Sequence, residues 1–419
     1  MSSWPDHVMW WQLYPLGFTG APVRPGGTGA AEGVVHRLGR IEGWLDHVVS
    51  LGLNGIALGP IFASQTHGYD TVDHFRIDPR LGDDADFDRL VAAAHARGVR
   101  VLLDGVFNHV GRAHPPLGPD MLRDAVFEGH DSLVVLNHDE PAVADLVVRV
   151  MRHWLDRGAD GWRLDAAYAV PPRFWAAVLP RVRERHPEAW FAGEVIHGDY
   201  AGIARESTMD SVTQYELWQG IWHGIADRNL FELAHALKRH NDLLAGFVPA
   251  TFVGNHDVTR IASAVGADFV PHALAVLFTV AGVPSVYAGD EYGWTGVKEQ
   301  RLGGDDAVRP EFPEHPPAEN ETLRRHRELI AVRRRHPWVV RAHTDVVHLD
   351  NRQAVLRTAT GAGALIAALN LADDPAAVPA AGADALAAGT GTLDGAQVRL
   401  PARGWAVLSS RPSGGPDAG

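Results

Sequence analysis

Cysteine is absent from the 419-residue chain, which excludes disulfide bonds, thiolate metal sites and a cysteine nucleophile. Long apolar runs are absent too, since no stretch approaches the roughly 20 residues of a membrane-spanning helix. The first residues lack the basic segment and apolar core of a secretory signal. Together these absences predict a cytoplasmic protein with no membrane partner.

Positive charge is in deficit, and the formal net charge at pH 7 is -13. A surface of this sign repels nucleic acid and anionic membranes, so neither is expected as a partner. Hydrophobic residues make up 46% and charged residues 21% of the chain. These shares are ordinary for a globular protein, and the length suits one large domain or two to three smaller ones.

Eight short apolar runs alternate with amphipathic segments over the first 337 residues. The predicted strands are Val8–Phe18, Asn54–Phe62, Val99–Phe107, Gly161–Asp165, Trp190–Val195, Asp210–Tyr215, Val248–Gly254 and Pro284–Ala288. The predicted helices are Val34–Ser50, Phe87–Arg97, Pro141–Arg157, Pro171–Arg185, Leu217–His240, Val258–Ala281 and Glu321–Arg335. Eight such units predict an α/β fold, a (β/α)8 TIM barrel. The alternative is an open doubly wound sheet, which usually binds its ligand at a glycine-rich turn not seen here.

The barrel is predicted to occupy residues 1–110 and 137–337. An irregular insertion, 111–136, follows the third strand. After Pro337, short apolar runs between Gly, Asp and Asn turns predict a small antiparallel β domain, a β-sandwich at 338–411. Residues 412–419 are expected to be a disordered tail.

The spacing of Asp84, Asp86 and Asp88 resembles the start of an EF-hand calcium loop. The sixth position of that loop is Arg89 instead of the required glycine, so these residues are interpreted as the acidic first turn of a helix.

Polar side chains end four of the predicted strands, where a barrel places its active site. They are Asp104, Asn108 and His109; Arg163 and Asp165; Glu194; and His256 and Asp257. Several carboxylates beside an arginine and two histidines suit acid/base and covalent chemistry on a neutral substrate. Two carboxyl groups about 5–5.5 Å apart across a sugar would make a retaining glycosidase.

Two other interpretations of these charges stay open at this point. Arg163 and Asp165 could form a structural ion pair at a strand end. The Asp and His side chains could also hold a metal ion for hydrolysis. No HExxH spacing exists, and Arg163 would repel a cation, so the metal interpretation is the weaker one.

Four of these stretches resemble the signature regions of glycoside hydrolase family 13, the α-amylase family. They are Asp104–His109 (DGVFNH), Gly161–Asp165 (GWRLD), Gly193–Val195 (GEV) and Val253–Asp257 (VGNHD). His67–Asp73 and Gly282–Glu291 add to the resemblance, which covers the whole chain. His67–Asp73 and the stretch from Glu194 to His197 are most similar to the maltogenic amylase, cyclomaltodextrinase and neopullulanase branch.

The resemblance implies a role for each matching residue. Asp165 would be the nucleophile, Glu194 the general acid/base, and Asp257 the carboxylate that stabilises the transition state. Arg163 would keep Asp165 ionised and oriented. The other implied substrate-site residues are Tyr69, which would stack on the sugar, His109 and His256, which would hydrogen-bond it, and Asp104, which would be structural at the barrel mouth.

The implied activity is retaining hydrolysis of α-1,4-glucosidic links in maltooligosaccharides or other α-glucans. One alternative is an α-glucan transglycosylase or a trehalose- or sucrose-active enzyme on the same scaffold. A non-catalytic binding subunit is another, although all three carboxylates persist.

The chain departs from common family patterns at three places. Endo-acting amylases carry Lys-His at the positions of Tyr168 and Ala169, which are contacts to the leaving group. Many exo-acting α-glucosidases carry Asp at the position of Thr66, so strict exo action is not expected. Asn108 matches a residue that binds calcium in many amylases, but the insertion that supplies the other ligands is short here, a reduced form of the family's B domain. No cofactor is therefore expected.

Overall fold

The chain forms two compact units in a computed structural model, which describes residues 4–24, 33–115, 117–118, 120–301 and 303–410. The N-terminal unit consists of Trp10–Thr213 and Arg301–Pro317, and the C-terminal unit of Met1–Met9, Gln214–Gln300 and Ala318–Gly419. These units differ from the predicted domains, whose limits stay a prediction. The predicted tail, 412–419, lies outside the described residues.

Six parallel strands build the sheet of the N-terminal unit, and they lie side by side in chain order. They are β1 (Trp10–Leu13), β2 (Gly55–Leu58), β3 (Arg100–Gly105), β4 (Gly161–Leu164), β5 (Trp190–Gly193) and β6 (Ser211–Val212). Every residue of β2 and β5 is buried, as expected for parallel strands that helices cover on the outer face.

The C-terminal unit contributes two more parallel strands, β7 (Ala250–Phe252) and β8 (Val283–Tyr287). They pair in the register Ala250 to Val283. All eight predicted strands are present; the first seven are shorter than predicted, and the eighth has the predicted length but begins one residue earlier. These are the eight strands of a (β/α)8 barrel, so the predicted fold class is confirmed.

Helices follow the strands in nearly every connection. The α-helices are Pro15–Phe18, Gly39–Glu42, Leu45–Leu51, Asp84–Ala96, Pro141–Asp156, Pro172–Arg183, Tyr200–Ser207, Tyr215–Ala226, Leu230–Leu243, Ile261–Val265, Val270–Thr279 and Glu321–Arg335. Single 3-10 turns are Trp4–Asp6, Phe127–Gly129, Ala167–Ala169, Ala267–Phe269, Asp290–Tyr292, Asp306–Val308 and Pro337–Arg341. None of the helices in the described ranges combines the length and hydropathy needed to cross a membrane.

The predicted helix Val34–Ser50 is wrong as a single element. The structure has two short helices, Gly39–Glu42 and Leu45–Leu51, on either side of Gly43 and Trp44. Glycine loses more backbone entropy in a helix than any other residue, and the buried indole of Trp44 stacks on Trp11 at 5.8 Å. Burial of the Trp44 indole against Trp11 therefore favours two short helices over one continuous helix.

Asp84 and Asp86 lie in the acidic first turn of the next helix, as predicted, and Asp83 caps that helix. The Asp83 side chain accepts the backbone N–H groups of Ala85 and Asp86, and the Asp86 side chain accepts the N–H of Asp83. This reciprocal arrangement is a capping box, which satisfies N–H groups that a helix leaves unpaired.

The insertion after β3 is more regular than predicted. It holds a three-stranded antiparallel sheet in which the strand Leu133–Leu136 lies between His109–Gly111 and Leu122–Val126. Most side chains of Leu122–Val126 are exposed, so its composition carries no core-facing pattern. A second antiparallel pair, Phe62–Ser64 with Thr71–Ile77, follows β2.

Two antiparallel sheets form the end of the chain, which confirms the predicted C-terminal β domain. The strands of the five-stranded sheet, in spatial order, are His343–Leu349, Gln353–Thr360, Gly363–Asn370, Trp405–Ser410 and Ala385–Gly389. Those of the three-stranded sheet are Ala376–Pro379, Gln397–Leu400 and Thr392–Asp394. Both sheets bury side chains in one cluster that includes Ile366, Leu408, Val378 and Val398.

Candidate active site

Strand register places four of the predicted residues on one face of β3, β4 and β5. Arg163 and Asp165 are two apart, so a strand of period two points them to the same side. Asp104 on β3 pairs in register with Arg163, and Glu194 lies two residues beyond Ala192, which also pairs with Arg163. Neighbouring strands in parallel register share a face, so all four side chains converge at the strand ends.

Arg163 connects the three carboxylates. Its Nη1 lies 2.7 and 2.8 Å from the two oxygens of Asp104 and 3.2 Å from Oδ1 of Asp165. Its Nη2 lies 2.6 Å from Oε1 of Glu194. These four side chains are at most 11% exposed. Burial alone would lower the pKa of Arg163, but the charges of Asp104 and Glu194 raise it well above its ordinary value. The guanidinium therefore stays charged.

The backbone after Asp165 is shaped to reach Glu194. Ala166 adopts a left-handed conformation with φ 46°, which is rare for a residue with a Cβ. In this conformation its N–H donates to Oε2 of Glu194 at 3.0 Å. Two residues on, the Tyr168 N–H donates to the Glu194 carbonyl at 3.3 Å. The turn thus fixes the two carboxylates of the predicted catalytic pair relative to each other.

Tyr69 and His109 extend the same network. The Tyr69 hydroxyl donates to Oδ2 of Asp104 at 3.2 Å, and His109 Nε2 lies 3.0 Å from the Tyr69 carbonyl. Burial lowers the pKa of His109 to about 4, although the bond to that carbonyl opposes the shift. His109 is therefore neutral near pH 7 and donates from Nε2 to the carbonyl, which leaves the other ring nitrogen as an acceptor.

The remaining predicted residues, His256 and Asp257, lie in the C-terminal unit after β7. Asn255 sets their backbone: its Oδ1 accepts the Asp257 N–H at 2.8 Å, and its amide donates to the Tyr215 hydroxyl at 3.0 Å. His256 is fully buried, and its Nε2 lies 3.0 Å from Oδ2 of Asp257. The Asp257 side chain is 26% exposed, so this carboxylate reaches solvent.

A buried ion pair supports the segment that carries Asp257. Arg260 donates from Nη1 to the Ala288 carbonyl at 2.9 Å and to Oδ1 of Asp290 at 2.7 Å. Burial raises the pKa of Asp290 to about 6, against the opposing charge of Arg260. The contact ties the segment after β7 to the segment after β8, and it joins residues 30 positions apart that no periodicity of the sequence links.

The residues around Asn108 do not fit a calcium site. The Asn108 side-chain nitrogen lies 3.1 Å from His109 Nδ1, so its amide is used as a donor within the network. Calcium takes six to eight oxygen ligands. Over the described residues, the group of acidic or histidine side chains close enough to share a metal is His36, Asp83 and Asp86, and the last two form the capping box described above.

Sequence reasoning missed the contacts that the insertion makes. The Phe127 ring stacks on His109 with centroids 4.8 Å apart, and Oε1 of Glu128 accepts the Tyr168 hydroxyl at 2.7 Å. In the sequence, Tyr168 stands out only as a departure from the family pattern. Glu128 lies 40 residues away in the 3-10 turn Phe127–Gly129, and no periodicity or motif marks it.

The comparison with protein families gives a match over most of the chain. The family model described as "Alpha amylase, catalytic domain" matches residues 12–117 and 126–330. A cyclomaltodextrinase from Bacillus sp is 31% identical over 70% of this chain and 60% of that protein. An intracellular maltogenic amylase from Bacillus subtilis (strain 168) is 29% identical over 70% of this chain and 57% of that protein. The chain thus spans about three fifths of the length of these relatives.

A solved structure agrees over nearly the full length. The ligand-free form of the cyclic alpha-maltosyl-(1-->6)-maltose hydrolase from Arthrobacter globiformis has a TM-score of 0.82 and 26% sequence identity. The match covers 98% of this chain and 100% of that one. The names of the two relatives confirm the predicted likeness to the cyclomaltodextrinase and maltogenic amylase branch. On the family match and the 31% identity, this chain belongs to the α-amylase family.

Proposed function

We propose that the protein is a retaining α-glycoside hydrolase that cleaves α-1,4-glucosidic links of maltooligosaccharides or other α-glucans. One observation carries the proposal. Arg163 donates to both Asp165 and Glu194 while the Ala166 N–H holds the second oxygen of Glu194. Double displacement at an anomeric carbon uses two carboxyl groups held in this way, one as nucleophile and one as acid/base.

In the first step Asp165 attacks the anomeric carbon of the sugar. The bond from this carbon to the glycosidic oxygen breaks, and a bond to a carboxylate oxygen of Asp165 forms. Glu194 gives its proton to the departing oxygen, so the leaving sugar departs as an alcohol. Arg163 stays charged beside both groups and stabilises the carboxylate of Asp165 before attack and of Glu194 after proton transfer.

In the second step water replaces Asp165. The Glu194 carboxylate takes a proton from the water, and the hydroxide oxygen bonds to the anomeric carbon while the bond to Asp165 breaks. Two inversions return the original α configuration, and both carboxyl groups regain their starting protonation.

The other predicted residues have binding roles in this proposal. Asp257 and His256 hold hydroxyl groups of the reacting glucose, and Asp257 opposes the positive charge that develops on it. Tyr69 stacks on the apolar face of the same ring. Both ring nitrogens of His109 are engaged, Nε2 with the Tyr69 carbonyl and Nδ1 with the Asn108 amide, so its role in this proposal is to position Tyr69. Asp104 orients Arg163 and Tyr69 by hydrogen bonding to both side chains.

The names of the similar proteins support the substrate class. The cyclomaltodextrinase, the intracellular maltogenic amylase and the maltosyl-maltose hydrolase are all named for maltose or maltodextrins, which are α-linked glucans. We propose an α-glucan oligosaccharide as the substrate here. The name of the Bacillus subtilis relative also supports a cytoplasmic location, which fractionation of the source cells tests.

Following the anomers released early from maltohexaose by proton NMR tests the proposal. We expect the α-anomer to appear first and the β-anomer to follow by mutarotation. Early release of the β-anomer would exclude double displacement. If the protein turns over neither starch, maltooligosaccharides, cyclodextrin nor pullulan, an α-glucan hydrolase is excluded.

We also propose that catalysis needs no calcium. The proposal rests on the described residues, in which the group of acidic and histidine side chains close enough to share a metal lies at the cap of the helix Asp84–Ala96 and does not include Asn108. Calcium chelation, described in the Discussion, tests it.

A further inference from the structure

A cleft in the C-terminal unit lies at the start of β8. Its volume is about 40 Å³, several times the roughly 10–15 Å³ that one water molecule needs. Gly282 lines it and directly precedes β8, so the cleft is at the opposite end of this strand from Asp290. The other lining residues that matter below are Asp6, His7, Arg333 and Arg334, all of the same unit. We name it the β8 cleft.

Arg333 brings a buried positive charge to the β8 cleft. In the described part of the chain the buried arginines are Arg260 and Arg333, and the partner of Arg260 is the carboxylate of Asp290. Arg333 donates instead to backbone carbonyls, from Nη1 to Val280 at 2.5 Å and from Nη2 to Gly282 at 2.6 Å. No carboxylate among the described residues contributes to its electrostatic environment.

The pKa of Arg333 reflects this lack of a carboxylate. Burial lowers it to about 9, and the charge of Arg334 adds to the shift, so the side chain is still a cation at pH 7. Arg163 is buried as well, but the charges of Asp104 and Glu194 raise its pKa. A buried charge without a counter-ion is costly. An anion beside Arg333 would therefore be stabilising.

Arg334 adds a second positive charge to the lining. Its Nη1 donates to the His7 carbonyl at 2.6 Å, and burial lowers its pKa too. The lining also holds the carboxylate of Asp6, whose Oδ1 lies 3.0 Å from Nη2 of Arg341. Arg341 balances that negative charge from outside the lining, so the β8 cleft has an excess of positive charge in a chain whose formal net charge is -13.

The contacts of Arg333 also have a purely structural interpretation. The Val280 carbonyl follows the end of the helix Val270–Thr279, where backbone carbonyls carry partial negative charge, and an arginine can serve only to cap such an end. The bonds of Arg333 to Phe278, Val280 and Gly282 use three of the five N–H donors of a guanidinium. Two donors are left, and capping does not account for them.

We propose that the β8 cleft binds a small inorganic oxyanion of the class of phosphate or sulfate, held by Arg333 and Arg334. Guanidinium groups form charge-assisted hydrogen bonds to such oxygens. The volume of the cleft suits a single tetrahedral ion and leaves no room for an attached sugar. The inference does not depend on the proposed function, because the active site of a barrel lies at the other end of the strands.

Isothermal titration calorimetry of the full chain with sodium phosphate at pH 7 tests the inference. Sodium chloride keeps the ionic strength constant, so that general screening does not change during the titration. We expect one phosphate per chain with a Kd of about 1 mM, as for two charge-assisted hydrogen bonds. Glucose 1-phosphate carries the same group on a sugar and should bind at least about tenfold more weakly.

Two variants locate the site. Arg334→Gln removes one charge and keeps an amide that can donate to the His7 carbonyl, and Arg333→Lys keeps the charge but loses the guanidinium fork. Each should raise the Kd for phosphate about tenfold. Arg335→Gln is the matched control, since it makes the same change in charge at the next residue, which is exposed. It should keep Kd within about twofold of the wild type, and circular dichroism checks that each variant folds.

The wild-type titration is decisive without any variant, because the absence of saturable phosphate binding overturns the inference. Equal Kd values for the wild type and Arg334→Gln, or an equal rise in Arg334→Gln and Arg335→Gln, would also overturn it, since the phosphate would then bind elsewhere. Tighter binding of glucose 1-phosphate than of phosphate would contradict the ligand class. None of these results bears on turnover of α-glucans, so each leaves the proposed function standing.

Discussion

Arg163 and Asp104 form a buried ion pair in which one guanidinium nitrogen lies 2.7 and 2.8 Å from the two carboxylate oxygens. The side chain of Asp104 is fully buried. The pair comes directly from the register of β3 and β4, in which these two residues are opposite each other. It fixes the guanidinium that also contacts Asp165 and Glu194.

Asp104→Asn should lower kcat/KM for maltotriose by about a hundredfold, because the ion pair with Arg163 becomes a bond from the guanidinium to one neutral amide oxygen, so that Arg163 loses its anchor. Steady-state kinetics measure this, and circular dichroism checks that the fold is kept. Asp160→Asn is the control. It breaks the pair of Asp160 with Arg100, at the opposite end of β3, and should lower Tm while leaving kcat/KM within about twofold. Equal kcat/KM values for the wild type and Asp104→Asn would contradict the positioning role assigned to Asp104.

The left-handed conformation of Ala166 gives a second prediction. Ala166→Val should lower kcat/KM by about tenfold or more, because a β-branched residue is disfavoured at positive φ and the N–H would move away from Glu194. Ala166→Gly adopts the same conformation without penalty and should stay within about threefold of the wild type. The opposite ranking of the two variants would contradict the role assigned to this N–H.

Four buried histidines predict how stability depends on pH. Burial lowers the pKa of His74, His109, His240 and His272 to about 4, whereas in the unfolded chain the value is about 6.5. Between these values the unfolded chain binds more protons. Their stabilising contribution is therefore complete above pH ~6.5 and is lost as the pH falls towards 4, by up to about 1.4 kcal/mol per pH unit for each histidine.

Urea denaturation at a series of pH values measures this dependence. His240→Gln should make the fall in the free energy of unfolding less steep, since one of the four groups no longer titrates. His343→Gln, at an exposed position, serves as the control and should follow the wild type. A slope that His240→Gln leaves unchanged would refute the prediction.

Most of the fold could be predicted because its strands are apolar on both faces. Runs such as Val99–Phe107 and Trp190–Val195 are recognisable without structural information, and the polar residue that ends each run marks the edge where the site lies. The strands that escaped prediction lack this signal. Ala376–Pro379 and Ala385–Gly389 are rich in alanine, which is depleted in strands, and pairing with neighbouring strands holds them.

The candidate site could be predicted only in part, for a related reason. Asp165 and Arg163 are neighbours along one strand, so a period-two pattern finds them together. The Ala166 N–H is the second bonding partner of Glu194. Its position depends on the positive φ of Ala166, which the identity of the residue, an alanine, does not predict. The bond from Glu128 to Tyr168 joins segments 40 residues apart and depends on the path of the insertion, which its mostly exposed side chains do not encode.

Calcium removal tests the interpretation of Asn108. Treatment with EDTA followed by desalting should leave kcat and Tm unchanged, because among the described residues no group of three acidic or histidine side chains close enough to share a metal includes a neighbour of Asn108. Loss of activity that added calcium chloride restores, while magnesium chloride does not, would contradict this expectation.

Covalent trapping tests the central claim most directly. A slow fluorinated α-glycosyl fluoride should label the wild type, and mass spectrometry of its peptides should locate one sugar on Asp165. Asp165→Asn should take up no label and lose turnover of maltotriose while its circular dichroism spectrum is unchanged. A sugar found on another residue, or full activity in Asp165→Asn, would contradict the assignment of Asp165 as the nucleophile and with it the proposed mechanism.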